Sequence, residues 1–185
     1  VDARGAYGFT PWNPGINFCL ATQDPSGTPL AETGVVRTAT AEDWYDSDGG
    51  EENKMKFSAT GGDDIWDRND YLNIWICDIS NGAGSGTAGY AYVPTPTLLP
   101  SATIDGIVLD YNLGIMNENV LTHEVGHYLG LGHTWGAGGC ASDDGFADTP
   151  MTDGPSFNFA GSCSGFQETC PGTQTMYENY MDYSN

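Results

Sequence analysis

Basic residues are scarce in this sequence: 5 Lys and Arg stand against 25 Asp and Glu, a net charge of −20. That balance argues against nucleic acid and anionic membrane surfaces as partners, and it leaves cationic ones open, whether metal ions or basic peptides. Solubility, or adaptation to salty or cold water, accounts for the same charge, so charge alone does not separate these readings. Long apolar runs are missing too, and none approaches the roughly 18 to 20 residues that span a bilayer. No basic-then-apolar leader is visible, and Val1 stands where an initiator Met is expected, so the sequence reads as a processed, soluble chain. Histidine is the most telling scarcity, with three in 185 residues.

Length fits one domain with room for a core. Five cysteines in a chain rich in Gly, Asp, Asn and Ser suggest an exported protein with two disulfides and one cysteine over. No Asn-x-Ser/Thr sequon occurs, so a bacterial or archaeal exoprotein suits the sequence at least as well as a eukaryotic one. The first half reads as short strands between turns. Ile16 to Ala21, Tyr71 to Ile79, Gly89 to Pro94 and Thr103 to Tyr111 are runs of apolar and β-prone residues. Asp46 to Asn53 is acidic but lacks EF-hand spacing and reads as a solvated loop. GSGTAG at 84–89 matches the dinucleotide fingerprint, yet YAYVPTPTLLP follows it and cannot open a helix, so no nucleotide site is expected.

All three histidines fall within HEVGHYLGLGH, residues 123 to 133. A helix is expected from about Asn119 to Gly130, with Asn117 or Asn119 as N-cap. Leu121, Val125 and Leu129 form one stripe, expected to pack; His123 and His127 form a second, about 200° away. Two histidines at i and i+4 can share one Zn²⁺, and Glu124 sits beside them within reach of a water. Gly130 accepts positive φ and can turn the chain so that His133 becomes a third ligand. Three protein ligands leave a fourth position open, the arrangement of a catalytic zinc. Chance occurrence of H-E-x-x-H-x-x-G-x-x-H is on the order of 10⁻⁷ per position or lower from average composition.

This extended motif resembles that of the metzincin metallopeptidases, whose second mark is a methionine-containing turn. ENYMDYSN, Glu178 to Asn185, puts Met181 in such a turn. The runs FCLA, YLNIW, GYA-x-VP, DGIV, GGC, ADTP, TC and NYMDYS are similar to the pappalysin family, over nearly the whole chain. The resemblance implies an α+β fold: a metzincin-like zincin with a twisted mixed sheet and the active-site helix in an upper subdomain, to about residue 130, and an irregular lower subdomain, about 131–185. It implies a secreted zinc endopeptidase acting on proteins or peptides, a monomer kept latent by an upstream pro-segment. His123, His127 and His133 would hold zinc, Glu124 would act as general base and then acid, and Tyr183 would stabilise the oxyanion. Met181 would be a structural floor, and Gly89, Tyr90, Ala91 and Tyr92 the rim strand on which an extended substrate adds.

The resemblance also points to a structural calcium ion on Asp144, the Ala147 carbonyl and Thr149. It pairs Cys140 with Cys170 and leaves Cys163 without its partner, which would follow the methionine turn beyond Asn185. Cys19 and Cys77, in two expected strands, are left either as the second bridge or as two buried thiols. Family segments are expected to be lacking at both ends, a strand and backing helix before FCLA among them. The alternative from another class is a catalytically silent zinc- and calcium-binding extracellular module. Glu124 argues against it, since a silent site needs no acid-base residue.

Overall fold

The computed structural model describes residues 14–81, 86–115, 118–157 and 169–183. Contacts divide the chain into two compact units, one centred on Val93–Leu99 and Asn117–Asn185, the other on Trp12–Tyr92 and Pro100–Met116. The second unit carries a mixed sheet, the first the helix, which makes an α+β chain as the resemblance implies.

Three of the four expected strands form: β1 (Ile74–Cys77), β2 (Gly89–Ala91) and β3 (Ile107–Asp110). Their order is β1-β3-β2, with β1 parallel and β2 antiparallel to β3. The register sets Trp75 and Tyr90 opposite Val108 on its two sides, so these three share one face of the sheet. That face packs with Tyr45, Met55 and Ile79 into the core of the unit. β3, the central strand, is buried at all four positions, whereas Ile74 and Ile76 of β1 are exposed.

A lysine is buried in this core. Lys56, in a 3₁₀ turn over Lys54–Lys56, is wholly buried and donates from Nζ to the Ile104 carbonyl at 2.7 Å. The ammonium also lies 5.2 Å from the Trp75 ring centroid, 5.3 Å from that of Tyr90 and 5.0 Å from that of Tyr92. Three aromatic faces stand in for water around the charge. Burial still lowers its pKa to about 8, against the pull of Asp105 and Glu52.

Two expectations are corrected here. Ile16 to Ala21 forms no strand: Ile16, Phe18 and Leu20 are exposed, and the segment joins no ladder among the described residues. β-propensity marks residues that suit a pleated, half-buried surface, and this run finds no such neighbour. A Cys19–Cys77 bridge is absent for the same reason. Cys19 is an exposed free thiol on that unpaired segment, while the Cys77 thiol, half-buried at the end of β1, has its pKa pushed up to about 12 by burial and by Asp110 and Asp78. The Cys140–Cys170 disulfide does form. Cys163 lies outside the described residues.

Candidate metal centre

The single α-helix among the described residues, α1, spans Glu118–Tyr128, close to the expected range; Asn119 lies inside it, and Asn117 is outside the described residues. Its ending is a Schellman motif. Gly130, at φ 95°, sends its N–H to the His127 carbonyl at 2.9 Å, and Leu131 N–H reaches back to the Gly126 carbonyl at 2.9 Å. Only glycine takes this left-handed conformation without a Cβ penalty, as Gly130 is expected to do. The reversal also presents the Leu131 carbonyl to His127 Nδ1 at 2.9 Å. A carbonyl can only accept, so the proton sits on Nδ1 and Nε2 keeps a lone pair for a metal. His123 is oriented likewise, its Nδ1 donating to the Tyr180 carbonyl at 2.6 Å.

The buried face of the helix is the reverse of the one the spacing suggests. His123, Glu124, Gly126 and His127 are buried, while Leu121 and Leu129 are exposed and Val125 is half-buried. Periodicity identifies stripes but not which one is covered, and here the covering element is the C-terminal turn. A Cβ on Gly126 would stand 2.3 Å from Met181 Sδ, so this turn lies directly against the helix between its two histidines. Met181 is buried.

One nitrogen from each of His123, His127 and His133 comes within 4.8 Å of the other two. His127 Nε2 and His133 Nε2 are 3.0 Å apart. Burial lowers the pKa of all three, that of His133 to about 4 with the other two imidazoles adding to the effect. The cluster is therefore neutral at physiological pH, the form that ligates, and three neutral imidazoles suit zinc.

The C-terminal turn is tied in by a residue that sequence reasoning missed. Asp182 is buried and its carboxylate accepts from Ser156 N–H at 2.7 Å, Ser156 Oγ at 3.0 Å, Thr134 Oγ1 at 3.4 Å and Tyr183 N–H at 2.6 Å. Burial raises its pKa although these bonds pull the other way. Thr134 N–H adds a bond to the Met181 carbonyl at 3.3 Å. A lone Asp between Met181 and Tyr183 carries no periodic signal that would have found it.

Tyr183 stands beside the histidines, its ring 5.5 Å from that of His123 and 5.0 Å from that of His133. Burial and the charge of Glu124 both raise its pKa, so the phenol stays protonated at neutral pH. Trp135, also unforeseen, stacks on His133 with centroids 4.3 Å apart and planes 12° apart.

The other sequence candidates are not members of this histidine group. Asp144 accepts Phe146 N–H at 3.0 Å and a hydrogen bond from the Thr149 side chain; burial, then Asp143 and Asp148, hold its pKa up. Ala147 is exposed. Gly89, Tyr90 and Ala91 form β2, in the other unit, and Tyr92 follows it with its hydroxyl accepting from Asn53 Nδ2 at 2.8 Å.

Comparison with known proteins identifies a family. Residues 57–185 match the peptidase family described as pregnancy-associated plasma protein-A. An extracellular metalloprotease of Podospora anserina is 32% identical over 168 residues, 86% of this chain and 54% of that protein. One from Colletotrichum graminicola is 37% identical over 114 residues, 54% of this chain and 38% of the relative. Among solved structures, Tannerella forsythia mature mirolysin in complex with a cleaved peptide aligns at TM-score 0.68 and 32% identity, covering 89% of this chain and 61% of that one. A promirolysin mutant from the same organism aligns at 0.68 and 31%, covering 89% and 54%. The chain thus spans between about two fifths and three fifths of the length of these relatives.

Proposed function

Because the chain belongs to the pregnancy-associated plasma protein-A family of peptidases, we propose that it is a secreted zinc endopeptidase of the metzincin class that hydrolyses proteins or peptides. The observation that carries this reading is the convergence of three neutral imidazoles within 4.8 Å, with Glu124 on the same buried helix face. His123, His127 and His133 hold the metal. Zinc bound there supplies Lewis acidity toward a carbonyl oxygen and makes a water acidic near neutral pH. Glu124 accepts the water proton on its carboxylate and returns it to the leaving amine. Tyr183, kept protonated, donates to the oxygen that gains charge as the carbonyl is attacked. Met181 holds the ligand helix from below.

Three further assignments complete the proposal. β2 bonds only to β3 among the described strands, so Gly89 to Tyr92 offer an edge to which an extended peptide can add. The Asp144–Thr149 contact and the neighbouring carboxylates support a structural calcium ion there, with the Ala147 carbonyl as a further ligand. Latency before removal of an upstream segment is supported by the relative that exists as both promirolysin and mature mirolysin. Extracellular relatives support secretion, and no helix among the described residues is long and apolar enough to cross a membrane.

Casein hydrolysis tests the mechanism. The wild type is expected to cleave, to stop with chelator and to recover with zinc, while Glu124→Ala loses roughly 10²- to 10⁴-fold in kcat, the usual contribution of a positioned acid-base group. Equal activity of the variant overturns the role of Glu124, and zinc binding without hydrolysis favours the silent binding module.

A further inference from the structure

His123 and His127 are each steered by a backbone carbonyl on Nδ1, but no carbonyl among the described residues accepts from His133. The third ligand also stands outside the helix, beyond the Schellman turn, where no regular backbone fixes its ring. What lies against it is an aromatic side chain. Gly136 N–H closes a turn onto the His133 carbonyl at 2.9 Å, with Thr134 and Trp135 at its centre. Thr134 is buried and bonded to Met181 and Asp182, which pins the turn to the floor, and Trp135 lies parallel over the His133 imidazole at 4.3 Å. Tyr183 meets both rings edge-on, at 5.0 Å from His133 and 4.8 Å from Trp135.

We propose that Trp135 is a positioning residue for the third zinc ligand: its indole sets the plane of the His133 imidazole and hence the direction of the nitrogen lone pair. The inference rests on the zinc reading above. A ligating histidine usually gains its orientation and part of its affinity from a partner beyond the metal, and loss of that partner typically weakens binding 10- to 100-fold. Here, among the described residues, the partner is a π-face and not a carbonyl acceptor. An imidazole polarised by a cation is attracted more strongly by the electron-rich indole than a neutral one, so the stack favours the loaded state.

The test uses the full chain with zinc and cobalt alone as probes. Zinc affinity from chelator competition is expected to fall about tenfold or more in Trp135→Leu, which keeps bulk but no flat face, and to stay within about threefold of wild type in Trp135→Phe. The visible spectrum of the cobalt-loaded protein is expected to shift in the leucine variant and to be restored in the phenylalanine variant. Unchanged zinc affinity and cobalt spectrum in Trp135→Leu, with only thermal stability reduced, overturns the inference and leaves the zinc site standing. A wild type that binds no zinc overturns both. Should the leucine variant not fold, tryptophan emission decides: zinc added to the metal-free wild type is expected to change emission, and Trp135→Phe to lose most of that change. A change of undiminished size in the phenylalanine variant overturns the inference.

Discussion

Among single residues, Gly126 shows how a silent letter of the motif is set by packing. Alanine there would favour the helix by up to about 1 kcal/mol on intrinsic propensity. Its Cβ, however, would meet Met181 Sδ at 2.3 Å, and overpacking of a buried contact costs about 1–3 kcal/mol. The clash outweighs the gain in propensity, so Gly126→Ala is expected to lower Tm by a few degrees in a thermal melt. The same change placed in Met181→Ala is expected to be neutral or stabilising, and equal losses in both backgrounds would show that the two residues are not coupled. The three clustered histidines, Glu124 and the turn at Gly130 were legible because sharing one metal asks for those side chains at those spacings, and Met181 because the C-terminal run resembles the metzincin turn. Trp135 and Asp182 were not, because a stacked ring and a buried carboxylate are defined by neighbours distant in sequence or by a turn, and neither leaves a spacing to read.

At the scale of elements, strand content was legible wherever a run of Ile, Val, Trp and Tyr found a partner, and illegible where it did not, as at Ile16 to Ala21. The helix was found from its spacing, but its covered side was misread, because the C-terminal turn buries the histidines and not the leucines. Lys56 is a comparable surprise in the sheet, a cation used as core. Its folded pKa of about 8 lies below the ordinary 10.5, so between those values the unfolded chain holds a proton that the folded chain has released. Stability therefore rises with pH through that window on account of this group, by on the order of 2–3 kcal/mol. Urea midpoints at pH 7.5 and pH 10 are expected to rise for the wild type relative to Lys56→Met, which lacks the titration. Parallel curves for the two proteins would show that the ammonium is not desolvated as its aromatic surroundings indicate.

Over the whole molecule, the segment after the third ligand has almost no apolar periodicity, and its order comes from polar and covalent ties. Threonines form a chain there, from buried Thr152 Oγ1 to the exposed Thr169 Oγ1 at 2.7 Å and on to buried Thr175 Oγ1 at 2.9 Å. Asp182 joins Thr134, Ser156 and Tyr183, and Cys140–Cys170 closes a loop of sequence separation 30. Chain entropy assigns such a loop about 3.5 kcal/mol of stabilisation, more than any one of these hydrogen bonds at about 1 kcal/mol. The bridge is thus the largest single tie in a segment that also carries Met181 and Tyr183. Replacing both cysteines, Cys140→Ser with Cys170→Ser, is expected to lower Tm by roughly 7–14 °C, since 1 kcal/mol shifts a chain of this size by about 2–4 °C. The double variant is the specific arm of the comparison, because a reductant would also act on any bond made by Cys163. Zinc affinity measured well below the lowered Tm is expected to stay near that of the wild type, since the carbonyls that orient His123 and His127 come from Tyr180 and Leu131, outside the closed loop. An unchanged Tm would mean that the threonine and Asp182 network alone holds the segment, and a lost zinc site in the folded variant would mean that the loop, not the turn at Met181, sets the geometry of the metal.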